Sequence, residues 1–195
     1  TREGMKLALL NARIIDGTLA GNLDLNWRDG FTMQGAVNGR NLNPARIAPE
    51  WKGVANFNAS GNLARAGTSP VSGSVSVALL ESRLHGQSLT GELQANFADN
   101  NLSLSRLSLQ GKGFTLTASG ELNQRLALAA QISDFSRLVP GSAGTLQAVG
   151  WLRWRDGGLS GAVTGGGSRL AYAGARIAAA NLSVRLDQGT GYPLH

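Results

Sequence analysis

The residues of this chain able to do chemistry are few, and their spacing does not assemble a catalytic set. There are two histidines, His85 and His195, and only His85 sits in a strand-like context. Nothing near either in sequence supplies a triad or a metal-ligating cluster. Cysteine is absent, which excludes disulfides, thiolate catalysis and cysteine-held metals, though it assigns no compartment. The 12 acidic residues are dispersed, many beside glycine. A glycosidase pair of carboxylates would have to be brought together by the fold. Gly111-Lys112-Gly113 suggests a phosphate loop, but the full phrase needs a second glycine further upstream and a following helix. Here an alternating stretch from Phe114 follows, so the phrase reads as a turn. The expectation is no enzyme, with no catalytic residue, metal or organic cofactor.

Binding chemistry has more candidates. Trp27-Arg28-Asp29-Gly30 and Trp154-Arg155-Asp156-Gly157 could clamp a lipid headgroup. The plainer reading is a hairpin in which Asp-Gly turns and Trp and Arg flank it. Trp151-Leu152-Arg153-Trp154-Arg155 interleaves aromatics and cations as a single-strand stacking platform would, yet it also fits one strand with a wet and a dry face. The net charge is +6 with only 15% charged residues, against roughly 25% in an average domain. No three basic residues are consecutive, which argues against a nucleic-acid partner. A mild attraction to anionic headgroups is compatible with the charge. Asn58, Asn101 and Asn181 each open an Asn-x-Ser phrase inside an alternating stretch, where a glycosylation acceptor would not be expected.

The elements that must position these residues are strands. Phe114, Leu116, Ala118, Gly120 and Leu122 share one parity with polar residues between them, and Leu126, Leu128, Ala130 and Ile132 repeat the pattern. Such alternation gives a strand one apolar and one wet face. About a dozen segments of this kind are expected, each near 6–10 residues. After Leu104 the phase slips to Leu107 and Leu109, as a β-bulge would cause. Helix is expected only as single turns after Asn43-Pro44 and at Asp134–Leu138 before Pro140. Glycine, at 27 of 195, is about twice its usual share of roughly 7%. Asp16-Gly17, Asp29-Gly30, Asn38-Gly39 and Asp156-Gly157 read as tight turns, and 67–73 and Gly165-Gly166-Gly167 as longer ones. No apolar stretch approaches the ~20 residues of a spanning helix. With no initiator Met, the chain reads as an internal segment of a longer protein.

The chain also repeats itself. Residues 17–30 align with 144–157 at a constant spacing of 127 (144 − 17), with 8 of 14 identical. Arg46-Ile47-Ala48-Pro49 with Gly53 resembles Arg137-Leu138-Val139-Pro140 with Gly144 at a spacing of 91 (137 − 46). Unequal spacings exclude a fixed-period solenoid and suggest related modules near 17–63 and 144–186 of one β-repeat segment, 1–195.

The apolar stripes can close on each other as an ordinary core or line an open groove. Small residues share the inward register with leucine, and aromatics total only 6%. A native-density core wants more bulk, whereas aliphatic faces with few aromatics suit flexible acyl chains. Candidate lining residues are Leu23, Leu25, Phe31, Met33, Val37, Phe57, Val75, Val77, Leu79, Leu93, Ala95, Phe97, Leu102, Leu104, Leu107, Leu109, Phe114, Leu116, Ala118, Leu126, Leu128, Ala130 and Ile132.

Two phrases carry a family resemblance. The stretch Gly35 to Arg46 followed by Pro49-Glu50-Trp51-Lys52-Gly53, and Ile132 to Gly141, are similar to the TamB family of translocation and assembly proteins, within the wider AsmA-like group of Gram-negative envelope proteins. The resemblance covers most of 17–160. It implies an all-β fold, an antiparallel-rich sheet curled into a U-shaped trough with an apolar interior (a β-taco). It further implies a periplasmic segment of a protein anchored in the inner membrane. The implied role is to hold or conduct phospholipid acyl chains towards the outer membrane. The alternative is a scaffold for outer-membrane proteins that pairs by a strand edge and works with an Omp85-type partner held by parts of the protein outside this chain.

Overall fold

Period-two patterning resolves into strands nearly throughout. The computed structural model describes residues 4–8, 12–28, 30–84, 86–99, 101–137, 141–155 and 157–186. The strands are β1 (Gly4–Ala8), β2 (Ala12–Ile14), β3 (Gly17–Asn26), β4 (Phe31–Leu42), β5 (Gly53–Arg65), β6 (Ser72–Leu84), β7 (Gln87–Ala98), β8 (Asn101–Gly111), β9 (Phe114–Glu121), β10 (Arg125–Ile132), β11 (Ala143–Arg155), β12 (Gly158–Tyr172) and β13 (Ala175–Leu186). Two single turns of 3-10 helix, Pro44–Arg46 and Phe135–Arg137, are the helical content among the described residues. The first opens at the proline as its sequence predicts, and it is also capped: Asn43 Oδ1 accepts from the Ala45 N–H, and Pro44 needs no donor there.

The fold is all-β and its pairings are antiparallel, with strand order β1-β3-β4-β5-β6-β7-β8-β9-β10-β11-β12-β13 and β2 on β3. The path is open: among the described residues β13 pairs only with β12. The chain divides into two compact units, Thr1–Ser105 and Arg106–His195. The division falls inside β8, where Ser105 and Arg106 are successive exposed residues in an unbroken strand. That is the place where the alternation changes phase.

In the first unit the register lays apolar side chains and glycines in rows across the strands. One row is Leu25–Met33–Leu63–Gly73–Phe97, and the next is Leu23–Gly35–Gly61–Val75–Ala95. In the second unit Leu116–Ala130–Ala148–Gly165–Leu182 and Ala118–Leu128–Gly150–Val163–Val184 do the same. A glycine in a row lets a neighbour lie across its backbone. Phe57 and Leu42 occupy the space above Gly39, where a Cβ would come 2.5 Å from the Phe57 ring and 2.6 Å from Leu42 Cδ1. Asn38-Gly39 is therefore not a turn but the interior of β4, and Gly165–Gly167 likewise lie inside β12. The first hairpin turns at Ile15 and Asp16, both at positive φ, and Gly17 opens β3. The turn expected over 67–73 ends earlier, since Ser72 and Gly73 are already in β6. Asp29, His85, Leu138–Pro140, Asp156 and His195 lie outside the described residues.

A line of register shifts crosses the first unit. Pairing slips between Gly39 and Leu42, between Val54 and Phe57, and between Leu79 and Ser82. Side chains supply the bonds that the ladder drops there. Asn41 N–H donates to Asn56 Oδ1 at 2.8 Å, and Asn56 N–H donates to Ser82 Oγ at 2.9 Å. The Ser82 hydroxyl lies 2.9 Å from Leu80 O and 3.2 Å from Asn56 O, both acceptors, and the residue is only 4% exposed. Bulges aligned in this way add local twist and bend the strands together. Ser82→Ala leaves the Asn56 amide without its acceptor, at a cost of about 1–3 kcal/mol. The expected result is a lower urea midpoint, with Ser88→Ala as an exposed control that leaves it unchanged.

The line ends at the β2–β3 turn, held by charge. Arg46 donates through Nε to Asp16 Oδ2 at 2.7 Å and through Nη2 to Oδ1 at 3.0 Å, and Asn43 Nδ2 donates to Oδ2. These bonds, Arg46 first, hold the Asp16 carboxyl below its ordinary value. A depressed carboxylate stabilises the fold above its unfolded value, and that contribution fades as pH falls through the folded one. Arg46→Ala should therefore be less stable than the native chain at pH 7 and equal to it in strong acid, read as urea midpoints across the pH range.

The two stretches that repeat in sequence form hairpins with a common irregularity. Gly17 in β3 faces Asn41 of β4, and a Cβ on it would meet Asn41 O at 2.6 Å. Gly144 in β11 faces Arg169 of β12, and its Cβ would lie 2.7 Å from both Ser168 O and Arg169 O. Asn41 and Arg169 are each left-handed, at φ 54 and 51. Trp27 and Trp154, at the far ends of the two hairpins, are exposed.

Candidate apolar groove

Neither unit covers its apolar rows with a second layer of large side chains. Buried hydrophobic residues among those described are Leu42, Ala95, Leu104, Ala118 and Leu126, and no large side chain is fully enclosed. In the first unit the rows bend around a cavity of about 770 Å³. Leu23 of β3, Met33 and Val37 of β4, Ala59 and Leu63 of β5, Val75 of β6, Phe97 of β7 and Leu102 of β8 line it. On a flat sheet β3 and β8 would be five ladder steps, roughly 24 Å, apart. A single cavity touching both requires the sheet of this unit to curl. Its size falls within the roughly 300–1,000 Å³ of small-molecule sites. The lining is mainly aliphatic with one phenyl ring, Phe97, which is 38% exposed, and Ser60, Asn62, Ser74 and Asn101 also border it. Gly35 and Gly61, paired directly, form a stretch of floor without side chains.

Of the candidate lining residues, Leu23, Met33, Val37, Val75, Phe97 and Leu102 meet at this cavity. Leu25, Phe57, Val77, Leu79, Leu93 and Ala95 share its face by register but do not line it. Phe31 stands exposed at the start of β4, opposite Arg65. Leu104 is buried in β8. Leu107 and Leu109 are half-buried in the part of β8 that belongs to the second unit. Phe114, Leu116 and Ala118 stand opposite Ile132, Ala130 and Leu128, and Leu126 opposite Gly120, on one face of β9 and β10. That face runs on to β13, where Leu182, Val184 and Leu186 are exposed. Sequence reasoning missed Leu63, Ala59 and Val71 at the cavity. Leu63 was in phase with Phe57 and Ala59, and the intervening Gly61 hid it.

The opposite face of the first unit has its own concavity of about 670 Å³, lined by amide and hydroxyl side chains. In the second unit the polar face carries Trp151 with two guanidinium groups near its ring, Arg125 at 5.7 Å and Arg153 at 5.9 Å from the ring centre. This satisfies the Trp–Arg alternation of β11 within the protein. No three His, Cys, Asp or Glu residues gather as metal ligands among the described residues. No helix there is long and apolar enough to cross a membrane.

Antiparallel strands whose aliphatic face no second layer of large side chains covers within either unit define an all-β sheet protein. A family model described as TamB, N-terminal domain matches residues 1–187. The chain belongs to the TamB family of envelope transport and assembly proteins. No curated protein and no solved structure matches it.

Proposed function

We propose that this chain is a periplasmic segment that holds or conducts phospholipid acyl chains along its apolar face, within a protein anchored in the inner membrane and reaching towards the outer one. The observation that carries the reading is the aliphatic cavity of the first unit, open to solvent and free of charged lining residues. Each methylene moved from water into such a lining contributes ~0.8 kcal/mol. An apolar face left this open normally marks an interaction site. Rows that mix leucine, valine, alanine and glycine offer similar contact at successive positions, which favours sliding over trapping.

Odd- and even-numbered residues of β7 point to opposite faces, and that gives a direct test. A photo-crosslinking amino acid replacing Phe97 should capture phospholipid in cells, and the same group replacing Gln94 should not. Equal yields at both positions would sink the groove reading. The second reading, assembly of outer-membrane proteins with an Omp85-type partner, draws on β13. Its described residues pair on one side only, leaving an edge on which a client strand could add. Backbone pairing of that kind would be blocked by prolines placed in β13 and spared by substitutions in the cavity.

A further inference from the structure

The concavity on the other face of the first unit is walled by side chains that hydrogen-bond but carry almost no charge. One row crosses the strands there: Asp24 stands opposite Gln34, Gln34 opposite Asn62, Asn62 opposite Ser74, and Ser74 opposite Asn96. Asn96 Nδ2 then donates to Ser105 Oγ on β8 at 3.3 Å. Part of the row is pinned internally, since Asn62 Oδ1 accepts from both the Ser74 N–H at 2.9 Å and its hydroxyl at 3.2 Å. Asn22, Gln34 and Gln94 are exposed around the pinned centre, and their amide groups make no hydrogen bond among the described residues.

We propose that this polar cleft binds a neutral glycan strand. A primary amide offers two donors and an acceptor with two lone pairs, and a hydroxyl both donates and accepts, which matches the vicinal hydroxyls of a sugar ring. The charge of the lining points the same way. No lysine, arginine or histidine lines the cleft and Asp24 is its single ionised group, so phosphate, nucleic acid and anionic polymers find no countercharge and meet a carboxylate. It has no aromatic ring on which a base could stack, and its two apolar lining residues, Val75 and Ala95, belong by register to the apolar row of the other face. Gly35 and Gly61 lie beneath it, so a ligand reaches the sheet closely along its middle. Glycan binding on the polar face does not rest on the proposed role of the apolar one, although Gly35, Ser60, Gly61, Asn62, Ser74 and Val75 border both.

The test is titration of the isotope-labelled chain with N-acetylglucosamine tetramer and with maltotetraose, followed through the side-chain amide signals of asparagine and glutamine. The signals of Gln34, Gln94 and Asn22 should shift in a saturable way with at least one of the two. The Gln34→Ala/Gln94→Ala double variant should weaken that binding at least tenfold, and Leu63→Asp, on the apolar face, should leave it unchanged. A heparin-derived tetrasaccharide should bind more weakly than the neutral probe. The proposal is overturned if neither neutral probe moves these signals at millimolar concentration, if the double variant binds like the native chain, or if the anionic probe binds as well. Both variants replace side chains that are not buried, and matching circular dichroism spectra would show that each still folds.

Discussion

Leu63→Asp should strip co-purifying phospholipid from the protein, read by native mass spectrometry and lipid extraction, while Asn62→Asp should not. The two substitutions place the same carboxylate one residue apart on β5. Leu63 faces the aliphatic cavity; Asn62 also borders it, but its side chain stands on the other face, in the row of polar groups opposite Gln34 and Ser74. An acyl chain seated over Asp at 63 would have to desolvate a charge with no cation in the lining, at a cost of several kcal/mol. About 3 kcal/mol already lowers occupancy by roughly a hundredfold. Leu63→Ala sets the scale for the loss of contact alone, about 1.5–3 kcal/mol when a leucine is fully enclosed and less here, where it is half-buried. Folding should survive both acidic variants, because Leu63 borders an open cavity and Asn62 is exposed. Lipid retained by Leu63→Asp, or lost equally from both, would defeat the groove reading.

Gly144→Val should unfold much of what β11 and β12 contribute, at a cost of roughly 3–5 kcal/mol. Two effects add. Gly144 sits at φ +111, where a β-branched residue is strained by about 1–3 kcal/mol. Its new Cβ would also be 2.7 Å from two carbonyl oxygens, those of Ser168 and Arg169, which the ladder holds in place. Overpacking of this kind typically costs about 1–3 kcal/mol more. Against a total stability of about 5–15 kcal/mol the change is large, and a urea midpoint would register it plainly. Gly144→Ala should show a smaller loss in the same direction. Arg169→Gly, which relieves a left-handed arginine at φ 51, should be neutral or stabilising. A midpoint unmoved by Gly144→Val would mean that the bulged hairpin is not a fixed part of the fold.

The strands were legible in the sequence because alternation is a local property. Phe114–Leu122 and Leu126–Ile132 announce their faces without reference to anything distant. The single turn at Pro44–Arg46 was equally local, since its cap and its proline are adjacent in the chain. Where reasoning from dipeptides failed, at Asn38-Gly39 and Gly165–Gly167, the glycines answer to neighbours in the next strand: Phe57 over Gly39, and the carbonyl of Gln147 against Gly165. Strand lengths were underestimated for the same reason, because those glycines were read as stops. The curl of the first unit was expected from the small inward residues and the family resemblance, but where the sheet bends could not be read from the residues. It depends on three register shifts that line up only after β4, β5, β6 and β7 are paired, and on a serine, Ser82, that looks unremarkable in sequence. The cavity inherits that limit: its members were recognisable one by one as inward residues, but which of them would meet was not.

From β4 onwards each strand is laid against the strand before it in the chain. No strand in that series waits for a partner far away in sequence, so the loops closed during folding stay short and their entropic cost stays small. A polypeptide delivered end-first could thus assemble as it arrives, hairpin upon hairpin, each new strand templated by the last. An interruption would leave a narrower sheet with one bare edge, competent to resume, rather than a collapsed core that must be undone.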